Sequence, residues 1–138
     1  MNLNRRAFVR GLAVLPVATL ATPAFAAPKK ADQYQAPVVV YHFVSPDSED
    51  CHRWDLRYLP RFLNSGEYRR SAYRRIEGKT VEEALDPSNW PHEVRTYAPT
   101  LREAPAFIVL NQGRPVAVAA GEEAWPKVVW PAIQRATA

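Results

Sequence analysis

The segment Pro37-Val38-Val39-Val40-Tyr41-His42-Phe43-Val44 is a nearly unbroken apolar, β-branched run. A strand with one wet face alternates apolar and polar residues, and this run does not. It predicts a strand buried on both faces, as in a parallel sheet. Whatever fold the chain adopts must supply a covering layer on each side. With 138 residues there is room for one such domain.

The residues that follow supply the layers. Ser45-Pro46-Asp47 breaks the strand, and Ser48 is a good N-cap for a helix through about Leu63, with Glu49 and Asp50 favourable in its first turn. Leu56, Leu59 and Leu63 predict a buried stripe, Arg53, Arg57 and Arg61 lie on another face, and Pro60 should kink the helix. Asn64-Ser65-Gly66 is a stop signal. Ala72 to Ile76 is a weak strand candidate, Thr80 can cap a short helix from Val81 to Leu85, and His92 to Leu101 can hold another. Ala106 to Leu110 and Pro115 to Ala120, joined by Asn111-Gln112-Gly113-Arg114, predict a hairpin. Glu122 to Ala136 predicts a last helix, bent at Pro131. The order is β-α-β-α-β-β-α. It implies an α/β fold with a mixed central sheet and helices on both faces.

Ahead of this domain, residues 1–26 read as an export signal: the Arg5-Arg6 pair, a weakly apolar run from Gly11, and the small-x-small site Ala24-Phe25-Ala26. The pattern resembles twin-arginine signals. The alternative is a general secretory signal with a chance arginine pair. Residues 27–36 form a flexible lead-in, and 37–138 the domain. The expected location is the periplasm, with no membrane span once the signal is cleaved. Cleavage also changes the charge argument. The +4 of the whole chain falls to +1, because Arg5, Arg6 and Arg10 leave and no acid does. A nucleic-acid partner therefore loses its basis.

The chain has one cysteine, Cys51. That excludes an internal disulfide, a dithiol pair, a cysteine-rich zinc site and a cysteine-ligated iron–sulfur cluster. Ser48 to His52 mimics a c-type haem motif but lacks one thioether cysteine, and no methionine remains after cleavage to act as an axial ligand.

The element order, the spacing from Phe43 to Ser48 and Cys51, and the Ala104-Pro105-Ala106 segment directly before the hairpin together resemble the thioredoxin-like superfamily. Cys51-His52-Arg53-Trp54 is similar to the Cys-x-x-Cys-x-x-Trp variant of short periplasmic thioredoxins of the sulfur-oxidation (Sox) type. The resemblance implies that Ser48 stands where the nucleophilic cysteine would be, with Cys51 in the second position. It also implies that Pro105 is cis, and that Ala104 and Pro105, with His52 and Trp54, border a peptide-binding edge. Serine forms neither a thiolate nor a disulfide, so dithiol exchange does not carry over.

Three functions follow as expectations. The first is a binding or accessory protein for another exported protein in thiol or sulfur metabolism. The second is a monothiol transferase in which Cys51 works with glutathione or a partner thiol. In that reading Glu49 and Asp50 disfavour a thiolate. The third is a copper carrier using His42, Cys51 and His52, although Cys51 and His52 are adjacent on a helix and diverge. No resident cofactor or metal is expected, and the sequence leaves the oligomeric state open. The seven arginines from Arg53 to Arg75, against Asp55 and Glu67, allow a docking face for an acidic partner. They equally allow a solvated helix face and a charge-protected edge strand.

Overall fold

The structure is a computed structural model and describes residues 36–138. The export signal at 1–26 and nearly all of the lead-in lie outside the described residues. Strand β1 (Val38–Val44) is followed by helices α1 (Glu49–Arg57), α2 (Leu59–Leu63) and α3 (Gly66–Arg69), then by β2 (Ser71–Glu77) and α4 (Val81–Ala84). Two 3₁₀ segments, Pro87–Asn89 and His92–Thr100, lead to β3 (Ala106–Asn111) and β4 (Arg114–Ala120). A π-helical turn, Trp125–Val129, runs into α5 (Trp130–Thr137).

The sheet order is β2-β1-β3-β4, with β1 parallel to β2 and antiparallel to β3, and β3 antiparallel to β4. The apolar run is thus a central strand, and its residues from Val40 to Val44 are fully buried. Even-numbered positions of β1 face one layer, where Val38 and Val40 join Trp54, Phe62, Phe107, Trp125 and Ile133. Odd-numbered positions face the other, where Tyr41 and Phe43 join Trp90, Val94, Leu101 and Ile108. The first layer is built by α1, α2 and α5. The second is built largely by the 3₁₀ segments, whose prolines prevent longer helices. At Gly78 the chain passes so close to α4 that an added Cβ would lie 2.3 Å from the Ala84 nitrogen.

The leucine stripe is where the sequence reading fails. Leu56 is 69% exposed and Leu63 is 40% exposed. The buried face is instead Cys51, Trp54 and Phe62, with Tyr58 and Leu59 packed beside them. Leu56 lies about 140–160° around the helix axis from Cys51 and Trp54, whereas Leu59 falls beside the buried face. The larger aromatic surfaces decide which side of the helix is buried, because burial scales with apolar area. Pro60 does interrupt the helix. It has no N–H for the Leu56 carbonyl, so α1 ends at Arg57, Tyr58 caps it, and α2 restarts with Pro60 in its first turn. Pro131 acts similarly on the last helix. The widened turn before it closes with the Trp130 N–H on the Trp125 carbonyl. In the hairpin, Gln112 (φ 51°) and Gly113 (φ 78°) both take positive φ, as a two-residue connection requires.

Candidate functional site

Ser48 has extended backbone geometry, and its Oγ accepts the Cys51 N–H at 3.2 Å, which caps α1. The same hydroxyl donates to the Ala104 carbonyl at 3.2 Å, in the loop before β3. One side chain therefore both caps the helix and ties it to the neighbouring loop. The Ala104–Pro105 peptide is cis. The Pro105 carbonyl accepts the Gly121 N–H at 2.7 Å, so this loop is also fixed to the end of β4. Ser45 steadies the approach from β1: its Oγ donates to the Lys79 carbonyl and accepts the Asp47 N–H.

Cys51 carries a free thiol that is 3% exposed. It packs against Val44 and Ala104, with Val81 at the margin. His52 is exposed on the helix, whereas Trp54 has no exposed surface. The structure therefore brings Ser48, Cys51, Ala104 and Pro105 together, leaves His52 at the surface and takes Trp54 into the core. Pro105 and Ala104 are themselves buried, and the Ala104 carbonyl is engaged by Ser48.

Trp54 lies over His42, with ring centroids 4.2 Å apart, and His42 stacks on Phe107 at 4.6 Å. His42 Nδ1 is 2.7 Å from the Tyr73 hydroxyl. Arg75 also hydrogen-bonds Tyr73, and its guanidinium grips Asp55 on α1 with contacts of 2.8 and 2.7 Å. Burial, and then the charge of Arg75, hold His42 well below its ordinary pKa of 6.5. Burial pushes Tyr73 up to about 12. A neutral His42 beside a protonated Tyr73 results. The hydrogen-bond path runs from the core to the surface and joins β1, β2 and α1. The sequence offered one signal for it: His42 is the polar residue on the inward phase of an otherwise apolar strand.

Much of the arginine-rich stretch is used within the molecule. Glu122, only one-tenth exposed at its side chain, accepts from Arg53 at 2.9 Å and Arg57 at 3.0 Å. Arg53 also pairs with Asp50. Arg70 Nε donates to the Thr137 carbonyl at the end of α5, and Arg74 lies over the Tyr41 ring. Glu122 is the partner that sequence reasoning missed, because nothing local links it to residues about seventy positions earlier.

Among the described residues no group of three or more His, Cys, Asp or Glu side chains lies close enough to hold a metal ion. His42, Cys51 and His52 do not converge. A cleft of about 150 Å³ is lined by Tyr58, Arg61, Phe62, Trp125, Pro126 and Trp130, none of which belongs to the Ser48–Cys51–Pro105 group. No described helix is long and apolar enough to cross a membrane.

No family model matches the chain, and no curated protein matches it. Solved structures do. A thioredoxin of Malassezia sympodialis (Mala s 13) aligns at 15% identity and a TM-score of 0.52, over 79% of this chain and 85% of its own. The periplasmic thioredoxin SoxS of Paracoccus pantotrophus, in its reduced form, aligns at 16% identity and a TM-score of 0.48, over 72% of this chain and 95% of its own. The oxidised thioredoxin of Plasmodium falciparum gives 17% and 0.49, over 78% and 88%. At such identities the likeness defines the fold. The chain has a thioredoxin-like α/β fold with, among the described residues, a mixed four-stranded sheet, and it carries a single cysteine.

Proposed function

We propose that this chain is an exported thioredoxin-fold accessory protein that acts by binding a partner rather than by dithiol exchange. The observation that carries the reading is the Ser48 hydroxyl. It occupies the first position of the expected motif and holds both the Cys51 N–H and the Ala104 carbonyl, while Cys51 is only 3% exposed. A nucleophilic thiol must be accessible and available as thiolate, and this one is packed among apolar side chains. The Arg5-Arg6 pair and the Ala24-Phe25-Ala26 site support export to the periplasm. The resemblance to Sox-type thioredoxins supports a partner in thiol or sulfur metabolism.

Two measurements test this. In a thiol titration of the native protein, Cys51 should react at least about a hundredfold more slowly than in the unfolded chain. Reaction at the unfolded rate would instead establish monothiol exchange. Ser48→Cys should supply a second thiol that bridges to Cys51, and should confer reduction of insulin by dithiothreitol cycling, whereas the unaltered chain should not reduce it. An inert Ser48→Cys variant would mean that the motif has been misplaced.

A further inference from the structure

The two edges of the sheet differ. β2 carries Arg74, Arg75 and Glu77, and charge on an edge discourages strand addition. β4 runs Arg114-Pro115-Val116-Ala117-Val118-Ala119-Ala120, with no charge after its first residue. Pro115 and the irregular register near Val109 and Leu110 protect its first half. The second half has no such protection.

The phase of the ladder shows which backbone groups that half presents. Gly121 N–H bonds the Pro105 carbonyl, so these two residues form a hydrogen-bonded pair. Antiparallel pairs alternate, which makes Phe107–Ala119 and Val109–Ala117 the next bonded pairs. On the other side of β3, Gln112 N–H bonds the Pro37 carbonyl, so even-numbered β3 residues bond β1 and odd-numbered ones bond β4. The N–H and C=O groups of Val118 and Ala120 therefore point away from the sheet. They have no hydrogen-bond partner among the described residues.

We propose that this edge pairs with the same edge of a second copy. Val118 of each chain would lie opposite Ala120 of the other about a two-fold axis at Ala119, with four backbone hydrogen bonds extending the sheet across the dimer. Charge favours this occupant. β4 begins at Arg114, and at its far end the Glu103 carboxylate sits beside Gly121, whereas Glu123, two residues further on, is paired with Lys127. In an antiparallel pair the Arg114 end of one strand lies towards the Glu103 end of the other, and a second copy supplies that match twice by symmetry. The small side chain of Ala119 lets the strands close at the axis. The contact is short, so a weak, concentration-dependent dimer is expected.

Sedimentation equilibrium of the full chain over increasing concentration tests the proposal. A dimer with a dissociation constant below about 1 mM is expected. Arg114→Glu or Glu103→Arg alone should weaken it about tenfold, since symmetry repeats the contact twice, and the double reversal should restore it. Val118→Pro removes an outward N–H that makes no bond to β3, and should abolish the dimer while the far-UV spectrum is kept. A monomer throughout would overturn the proposal. So would a monomer whose Val118 and Ala120 amides resist hydrogen exchange, because the chain's own N-terminal segment would then occupy the edge. A dimer insensitive to both charge reversals and to Val118→Pro would place the interface elsewhere. None of these outcomes depends on the reactivity of Cys51.

Discussion

At the scale of single residues, Ser48 and His42 show how one side chain serves more than one element. Ser48→Ala removes a cap and a tie to the Ala104 carbonyl together. The expected loss is about 1 kcal/mol, or somewhat more, read from the denaturant midpoint. His42 makes stability depend on pH. Its folded pKa is depressed, so the unfolded chain binds the extra proton first. The neutral form's full contribution is present above pH 6.5. It is lost as pH falls towards the folded pKa, by about 1.4 kcal/mol for each pH unit while His42 stays neutral in the folded state. Urea unfolding followed by tryptophan fluorescence between pH 7.5 and pH 5 measures this slope (about the range in which carboxylates stay ionised). The double variant His42→Phe, Tyr73→Phe, which removes the histidine with its hydrogen-bond partner, should flatten the slope. An unchanged slope would assign the pH dependence to other groups.

At the scale of elements, the central lesson is which face of α1 and α2 is buried. Phe62→Ala opens the core between the helices and the sheet and should cost about 3–5 kcal/mol. Leu56→Ala, at a side chain largely in solvent, should change stability by less than about 0.5 kcal/mol. Paired denaturation curves compare them directly, and equal losses would refute the assignment of the buried face. The existence of most elements was legible in the sequence, because caps, prolines and β-branched runs are local signals: Ser48 and Thr80 cap helices, Pro60 ends one, and the hairpin turn lies at Gln112-Gly113. The helix phase was not legible. Leucines and aromatics both recur at helical spacing, and only the sheet beneath the helix decides between them. The π-helical turn at Trp125–Val129 was equally hidden, since it results from fitting Pro131 and a buried Trp125 at once.

At the scale of the whole molecule, Cys51 is packed with Val44 and with two residues distant in sequence, Ala104 and, at the margin, Val81. Its exposure should therefore require opening of the fold rather than a rotamer change. Thiol-labelling rates at rising sub-denaturing urea should increase in step with the global unfolding equilibrium. A rate independent of urea would show a local opening at the start of α1. The same distant organisation holds the charges. Glu122 gathers Arg53 and Arg57, and Asp55 gathers Arg75, so the arginines that looked free in sequence largely serve the protein's own joints.

The sequence alone determined that a central strand would be buried on both faces, that the order of elements would be β-α-β-α-β-β-α, and that one cysteine could not perform dithiol chemistry. Each follows from composition or from neighbours a few residues apart. The tertiary structure alone decided three further things: that Ser48 would reach Ala104, 56 residues away; that Trp54 would be buried over a neutral histidine; and that half of β4 would keep backbone groups unpaired among the described residues. These depend on sheet register and on which surfaces meet, and long-range contacts of that kind leave no periodic trace in the chain.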